Sequence, residues 1–201
     1  MFHIHKYRIF FVNKQEKRCG AISLRGDFFV ILQKIEFMAK QKIEKTNAAR
    51  LLDRAKIAYE LIPYEVDENN LAATHVAEQL GEDIATVFKT LILCGDRAGH
   101  LVCVVPGNHE VDLKAAARVS GNKKVEMLAM KELLPTTGYI RGGCSPIGMK
   151  KRFPTYIHTT CLEHPHIYIS AGVRGLQIRI TPTDLINYVD AEVADISHEM
   201  E

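Results

Sequence analysis

The chain has 201 residues, of which 47% are hydrophobic and 25% are charged, and its formal net charge is +2. This composition predicts one globular domain, with or without a short appendage, and excludes a low-complexity protein. The charge is uneven, since residues 1–37 carry a net +4 and residues 38–201 a net −2. The body therefore lacks a broad cationic face, and any contact with nucleic acid is expected to be local.

The five cysteines are odd in number, are scattered, and include no CxxC pair. This usage favours a reducing compartment over a disulfide scaffold or a structural zinc site. The apolar run at residues 28–32 is too short to span a bilayer, and no small-residue cleavage site follows it. We therefore expect a cytoplasmic protein with no membrane segment.

Residues 1–37 resemble a folded domain less than the rest of the chain does. Residues 38–42, Met-Ala-Lys-Gln-Lys, have the composition of an ordinary amino terminus. We predict that translation starts at Met38, that residues 1–37 are an N-terminal extension, and that residues 38–201 form the domain. An additional strand within the first 37 residues is the alternative.

The first half of the body predicts alternating helices and strands. Apolar spacing after a Thr46 or Asn47 cap predicts a helix to Ala55, and Thr74 and Gly81 are the predicted cap and end of a second helix. Strands are predicted at residues 59–66, interrupted by Pro63 and therefore near an edge, at residues 87–93, and at residues 101–105 after a hairpin loop at residues 95–99.

The second half predicts three helices and three strands. Residues 112–119 and 130–134 are predicted helices, the latter ended by Pro135, and Thr181 caps a last helix that has Pro182 at its first position. The predicted strands cover residues 155–160, 167–170 and 176–180. Some consecutive strands are joined by a hairpin and others are separated by a helix. This pattern predicts a mixed α/β domain with a small, barrel-like mixed sheet surrounded by helices.

Lys89 is the charged residue of the otherwise apolar strand at residues 87–93. Side chains alternate along a strand, so Lys89 shares a face with Val87 and Leu91. Burial of an unpaired ammonium costs on the order of several kcal/mol. The side chain must therefore reach water along its own stem, pair with a carboxylate, or receive an anionic or electron-rich ligand.

Two glycine-containing loops follow later in the chain. Residues 142–148 contain three glycines and Pro146, and residues 170–175 combine a serine, two glycines and Arg174. Neither matches a nucleotide-binding fingerprint, and each by itself is typical of an ordinary turn. Together with Lys89 they predict a pocket in which backbone N–H groups approach a carbonyl or phosphate oxygen.

Nucleophilic and metal chemistry have weaker support. Cys144 and His109 are residue types of a catalytic pair, but no third residue at a suitable spacing would orient the histidine. His158, His164 and His166 predict a surface cluster rather than a metal site, because His164 and His166 flank a turn. We therefore expect no metal and no cofactor.

Six segments taken together resemble the YbaK/EbsC family, which is related to the editing domain inserted in bacterial prolyl-tRNA synthetases. The resemblance covers about residues 45–196 and leaves residues 1–37 unmatched. Its segments are residues 88–91, 112–114, 123–127, 137–139, 142–152 and 170–175.

The resemblance implies a trans-editing deacylase that clears Cys-tRNA(Pro), with the aminoacylated acceptor end of tRNA as substrate and prolyl-tRNA synthetase as partner. Such a factor is needed because a synthetase pocket discriminates weakly between side chains of similar size. The family mechanism implies that the substrate thiol attacks its own ester carbonyl, so that the protein supplies positioning and electrostatics. Lys89 is then the essential lysine. The implied substrate-binding residues are Tyr64, Thr90, Gly142, Gly143, Ser145, Ser170, Gly172 and Arg174.

The sequence departs from some relatives at residues 71–73, where Leu-Ala-Ala replaces an aromatic side chain of the aminoacyl site. This departure leaves the aminoacyl selectivity open. A deacylase for Ala-tRNA(Pro) or another small aminoacyl-tRNA is one alternative, and water-driven rather than thiol-driven cleavage would accompany it. A non-catalytic module that binds tRNA or a synthetase is the other.

Overall fold

The computed structural model describes residues 43–200. Within this range the chain forms five α-helices and ten β-strands. The helices are α1 (Asn47–Ala55), α2 (Ala73–Leu80), α3 (Leu113–Val119), α4 (Met130–Thr137) and α5 (Pro182–Val189). The strands are β1 (Glu60–Pro63), β2 (Phe88–Gly95), β3 (Gly99–Pro106), β4 (His109–Val111), β5 (Val125–Met127), β6 (Thr155–His158), β7 (Ile167–Ser170), β8 (Leu176–Ile180), β9 (Ala191–Ala194) and β10 (Ser197–Glu199). Two 3₁₀ turns, η1 (Ile84–Thr86) and η2 (Thr159–Glu163), complete the described elements.

The strands form three sheets, which confirms the predicted mixed α/β class. The largest has the order β5-β2-β3-β6-β9 and is mixed, because β6 runs parallel to both β3 and β9. The antiparallel order β1-β8-β7 forms the second sheet, and β10 pairs with β4 in the third. An isolated parallel bridge between Val87 and Tyr168 connects the start of β2 to β7.

The main core lies between the two larger sheets. Even-numbered residues of β2 such as Phe88 and Ile92 pack there with Ile169 and Ile178, and α1 contributes Leu52. The odd-numbered face of β2 points away from this core. Val87 at one end of that face belongs to a small cluster with Tyr168, and Leu93 at the other end belongs to a separate cluster. Lys89 lies between them on the same face.

Local sequence signals explain the first and last helices. The Thr46 hydroxyl oxygen accepts a hydrogen bond from the Ala49 N–H and begins α1 as predicted. Thr181 and Asp184 bond reciprocally at the start of α5, where the Asp184 N–H reaches the Thr181 oxygen at 3.2 Å. Pro182 occupies the first turn, where its missing N–H costs nothing.

Two predictions about helix ends are wrong. Thr74 lies inside α2, and the cap residue is Ala72, whose side chain makes no capping bond. Pro135 does not end α4, which continues to Thr137. The last turn is stabilised because the Thr137 hydroxyl donates to the Leu133 carbonyl oxygen and the Lys150 ammonium donates to the carbonyl oxygens of Leu134 and Pro135 at the helix end.

The strand predictions differ mainly at their ends. The strand predicted at residues 59–66 stops at Pro63, and lies on a sheet edge as expected. The strand predicted at residues 155–160 stops at His158, where η2 begins. The strands β4, β5, β9 and β10 were not predicted, because three or four residues of mixed polarity carry little periodic signal.

No helix within the described range is long and apolar enough to cross a membrane. The predicted start at Met38 and the predicted extension at residues 1–37 lie outside the described residues.

Candidate functional site

A cavity of about 600 Å³ opens beside β2, and residues from both faces of this strand line it. Its walls come from residues 64–76, from β2, from the start of α4, and from the ends of β7 and β8. Five of the nine predicted site residues line it, namely Tyr64, Lys89, Thr90, Gly142 and Ser170. The structure therefore places residues from four distant parts of the sequence around one space.

Lys89 is half-buried in the wall of this cavity. Its Nζ donates a hydrogen bond to the carbonyl oxygen of Gly107 at 3.0 Å, and no carboxylate of the described residues lies within ion-pair distance. Burial lowers the pKa of Lys89 below its ordinary value, and the negative charge of Glu110 opposes that shift. An ammonium has three N–H donors, so two remain for a ligand.

Lys89, Ser170 and Gln177 come from three strands, β2, β7 and β8, and all three line the cavity. Val87 pairs with Tyr168 in a parallel bridge, and Lys89 and Ser170 follow two residues later, each on the same face of its strand as the bridged residue. Ser170 in turn lies directly opposite Gln177 on β8. The bridge is isolated, because β2 and β7 separate after it, and the cavity lies at this opening.

The two glycine loops contact each other at the edge of the cavity. A Cβ at Gly143 would lie 3.2 Å from the backbone of Val173 and Arg174, so a larger residue here would push the two loops slightly apart. The guanidinium of Arg174 donates through Nε to the Arg141 carbonyl oxygen at 3.0 Å, and it lies 3.6 Å from the Glu68 carboxylate. Arg174 therefore ties both loops to the turn at residues 67–70.

Gly143, Ser145, Gly172 and Arg174, the other four predicted site residues, do not line the cavity. The Gly143 N–H already donates to the Ile140 carbonyl oxygen at 3.0 Å. Ser145 is fully buried, and its hydroxyl oxygen accepts from the Ile147 N–H at 3.3 Å. The Gly172 N–H donates to the Ser170 oxygen at 3.2 Å. In this conformation these four residues shape the loops and do not face the space itself.

Comparison with known proteins identifies the family. Residues 67–188 match the aminoacyl-tRNA editing domain. The chain belongs to this family. EbsC of Enterococcus faecalis, named as a candidate Cys-tRNA(Pro)/Cys-tRNA(Cys) deacylase, is 48% identical over 161 residues, which are 80% of this chain and 98% of EbsC.

Two further relatives are more distant. A proline–tRNA ligase of Thermosipho melanesiensis is 29% identical over 98 residues, which are 45% of this chain and 17% of the ligase. The crystal structure of a candidate trans-editing enzyme for prolyl tRNA synthetase superposes with a TM-score of 0.67 at 23% identity, and covers 77% of this chain and 99% of that one. The last similarity supports the fold of this editing domain.

Two residues that line the cavity of this editing domain, Thr90 and Gln177, each have a side-chain oxygen that is closed to solvent and lacks a hydrogen bond to the described residues. An unsatisfied buried polar group costs about 1–3 kcal/mol. Gln177 was not among the predicted site residues, because Leu-Gln-Ile-Arg-Ile has the alternation of a strand with one solvent-facing side. In the structure Gln177 lines the cavity instead, and it is only 6% exposed.

Leu71 occupies the part of the editing domain where the sequence departs from some relatives. It lines the cavity, and its methyl groups lie 3.4 Å from the position of a side chain at Gly142. Leu71 therefore supplies apolar surface beside the first glycine loop, in place of an aromatic ring.

The structure keeps Cys144 and His109 in separate roles. Burial raises the pKa of the Cys144 thiol to about 12, so the thiol stays protonated at neutral pH. His109 bonds through Nδ1 to the Ser197 hydroxyl at 3.0 Å. Neither residue has the partner that nucleophilic catalysis requires.

The prediction that His158 belongs to a surface cluster is wrong. Its ring is buried, accepts a hydrogen bond from the Ile196 N–H at 3.3 Å, and lies 5.2 Å from the His109 ring between centroids. His158 is the last residue of β6, and the segment before β10 covers it. The sequence did not predict β10, and therefore did not predict that His158 is buried. Among residues 43–200, no three His, Cys, Asp or Glu side chains are grouped as metal ligands.

Proposed function

We propose that this protein is a trans-editing deacylase that removes cysteine from Cys-tRNA(Pro). The supporting relationship is that with EbsC, which matches nearly along its whole length and carries this activity in its name. The proposal includes residues 38–201 as the editing domain, and the cytoplasm, where tRNA is charged, as its location.

The observation that carries the proposal is a cavity with a free ammonium and no activated nucleophile. Lys89 keeps two N–H donors for the ribose and phosphate oxygens at the acceptor end. Of the lining hydroxyl and thiol groups within the described residues, none hydrogen-bonds to a histidine or a carboxylate. A reaction in which the substrate supplies its own nucleophile fits such a site.

In the proposed reaction the cysteine thiol of the substrate attacks its own ester carbonyl carbon. A carbon–sulfur bond forms, the bond to the ribose oxygen breaks, and the thiol proton ends on that oxygen. The products are a cyclic thiolactone and uncharged tRNA, so no water is consumed.

The protein contributes position and charge in this scheme. The Gly143 N–H is engaged with Ile140, whereas Cys144 lines the cavity and its N–H has no hydrogen-bond partner in residues 43–200. We assign the Cys144 N–H as the donor to the developing oxyanion, where one such donor is worth about 3 kcal/mol. Lys89 holds the nucleotide end, so that the aminoacyl group lies between these two residues.

Prolyl-tRNA synthetase is the proposed partner. The similarity to a proline–tRNA ligase indicates a shared origin of the editing domains. Residues 38–201 carry a net charge of −2, so the domain gains little from long-range attraction to RNA. A synthetase that already binds the tRNA would supply the affinity that the editing domain lacks.

The test is a deacylation assay on Cys-, Ser-, Ala- and Pro-tRNA(Pro). We expect rapid clearance of Cys-tRNA(Pro), slow clearance of Ser-tRNA(Pro) because a hydroxyl is a weaker nucleophile, and release of the thiolactone. Lys89→Ala should abolish the activity, and Lys123→Ala, which removes an exposed lysine, is the control.

The alternatives give different results in the same assay. Clearance of Ala-tRNA(Pro) with release of the free amino acid would indicate a water-using hydrolase of another selectivity. Binding of aminoacyl-tRNA without any deacylation above background would indicate a non-catalytic module.

A further inference from the structure

A second cavity, of about 230 Å³, borders the far end of the first glycine loop. Pro146, Ile147 and Gly148 line it, whereas Gly142 and Cys144 of the same loop line the first cavity. Cys144 and Pro146 are two residues apart in sequence, so their Cα atoms lie within about 8 Å of each other. The two cavities therefore share this loop as a wall.

Two cations line the second cavity. Lys151 and Arg152 are exposed, and neither forms an ion pair within residues 43–200. The preceding Lys150 differs from them, because its ammonium binds the terminal carbonyls of α4. Among the described residues, no Asp or Glu lines this cavity. The cavity therefore offers one ammonium and one guanidinium to an anion.

The rest of the lining favours a particular kind of anion. Phe153 and Tyr188 contribute aromatic side chains, and Leu51, Val102 and Val189 contribute aliphatic ones. A simple inorganic anion would use the two cations alone. A nucleotide brings a phosphate for the cations and a flat base and ribose for the apolar surface, and the combination of cations with aromatic side chains is typical of sites that bind single-stranded nucleic acid.

The segment at residues 128–154, which contributes to both cavities, is strongly cationic. It carries five Lys/Arg and one Asp/Glu, a net +4, although residues 38–201 as a whole carry a net −2. The remainder of residues 38–201 is therefore net −6 and repels a polyanion. The five cations are all exposed, namely Lys131, Arg141, Lys150, Lys151 and Arg152. This charge distribution draws an RNA strand to one part of the domain.

We propose that the second cavity binds a nucleotide phosphate, with Lys151 and Arg152 as the phosphate ligands and the aromatic side chains in contact with the ribose or base. A nucleotide of the tRNA chain and a free mononucleotide both present this chemistry. The inference rests on the proposed function for the choice of tRNA, and adds to it a contact outside the cavity of Lys89. A tRNA bound here would contact both ends of the glycine loop that contains Cys144.

The experiment measures binding and requires no catalysis. The probes are an unacylated RNA hairpin with the acceptor stem and CCA end of tRNA(Pro), and AMP. The test variant combines Lys151→Ala with Arg152→Ala. The control combines Arg97→Ala with Lys123→Ala, which removes the same charge from two exposed residues outside residues 128–154. Since all four side chains are exposed, both double variants should unfold at the same urea concentration as the wild type.

We expect the test variant to bind the hairpin about 10-fold more weakly than the control does at about 0.1 M salt. The slope of log affinity against log salt concentration should fall by about 1 to 2, the effect of one or two lost phosphate contacts, and should stay unchanged in the control. Equal affinities and slopes in the two double variants, for both probes, would overturn the inference.

The AMP measurement identifies the source of the nucleotide. Competition between AMP and the hairpin, lost in the test variant, supports a site that a free nucleotide can fill. Binding of the hairpin alone, weakened in the test variant, supports a site for the RNA backbone. Neither result depends on whether the protein clears Cys-tRNA(Pro), so the site can fail while the proposed function holds, and the reverse.

A photo-crosslink tests the location. In a hairpin that carries 4-thiouridine at successive positions, at least one position should crosslink to a peptide that contains Phe153 or Tyr188, as identified by mass spectrometry. Crosslinks confined to peptides that line only the cavity of Lys89 would refute the second site.

Discussion

Gly107 is bound twice by the strand that carries Lys89. Its carbonyl oxygen accepts from Lys89 Nζ at 3.0 Å, and its N–H donates to the carbonyl oxygen of Val87 at 2.7 Å. The residue thus fixes the position of the ammonium with respect to its own strand. Because Gly107 follows Pro106 at the end of β3, the end of this strand orients the functional side chain of its neighbour β2.

Gly107→Ala should reduce both stability and activity. The added Cβ would lie 2.6 Å from Ile84 Cδ1 and 2.7 Å from Ala73 Cβ, so α2 or η1 would have to move. Overpacking of this kind costs about 1–3 kcal/mol, and the shifted carbonyl would no longer hold Lys89. Urea unfolding and the deacylation assay measure the two effects.

Gly121→Ala is the control for this prediction. A side chain there meets nothing within 4 Å, but the backbone φ of +68° is unfavourable for alanine, at about 1 kcal/mol. We expect lower stability with normal activity. Normal activity in Gly107→Ala as well would show that Gly107 does not position Lys89.

The His109–His158 pair should make the protein less stable below about pH 6.5. Burial is the main cause that lowers the pKa of both rings, and Lys89 contributes at His109 whereas His109 contributes at His158. The folded state therefore favours neutral rings, while the unfolded chain takes up protons from about pH 6.5 downwards. This contribution to stability is complete above that pH and is lost as the pH falls toward the depressed values.

Urea unfolding of the wild type at about pH 7.5, 6.5 and 5.5 measures this slope, and His158→Gln should flatten it. Equal slopes in the variant and the wild type would exclude His158 as a source of the pH dependence.

Cys144→Ala should retain most of the deacylase activity. The buried thiol has a pKa raised to about 12, so it is not a nucleophile at neutral pH, and the backbone N–H assigned to the oxyanion survives the substitution. The measurement is kcat/KM on Cys-tRNA(Pro), with the exposed Cys94→Ala as control. A loss as large as that of Lys89→Ala would instead assign Cys144 a chemical role.

The parts of the fold that the sequence predicted have strong local signals. Thr46 and Thr181 begin their helices as expected, and the hairpin of β2 and β3 pairs Gly95 with Gly99. The prediction failed where tertiary contacts decide, as at Pro135, whose helix continues because Lys150 binds its terminal carbonyls. The short strand β10 exists only because β4 pairs with it.

The site residues divide in the same way, into those with a local sequence signal and those that only the tertiary fold reveals. Lys89 stood out because a charge in an apolar strand is rare, and the glycine loops stood out by composition. Gln177 carried no such signal, since a polar residue at an alternating position usually faces water. Its meaning depends on which neighbour covers that side of the sheet, and this is a property of the assembled fold.

The isolated bridge between Val87 and Tyr168 also bears on the order in which the parts of the fold form. It joins segments that are distant along the chain, and the strands on both sides of it, β2 and β7, contribute Lys89 and Ser170 to the cavity. The β2–β3 hairpin can form early from neighbouring residues, whereas closure over such a long loop is slow. We therefore expect a newly made chain to complete its substrate pocket only when the distant β7–β8 hairpin has docked.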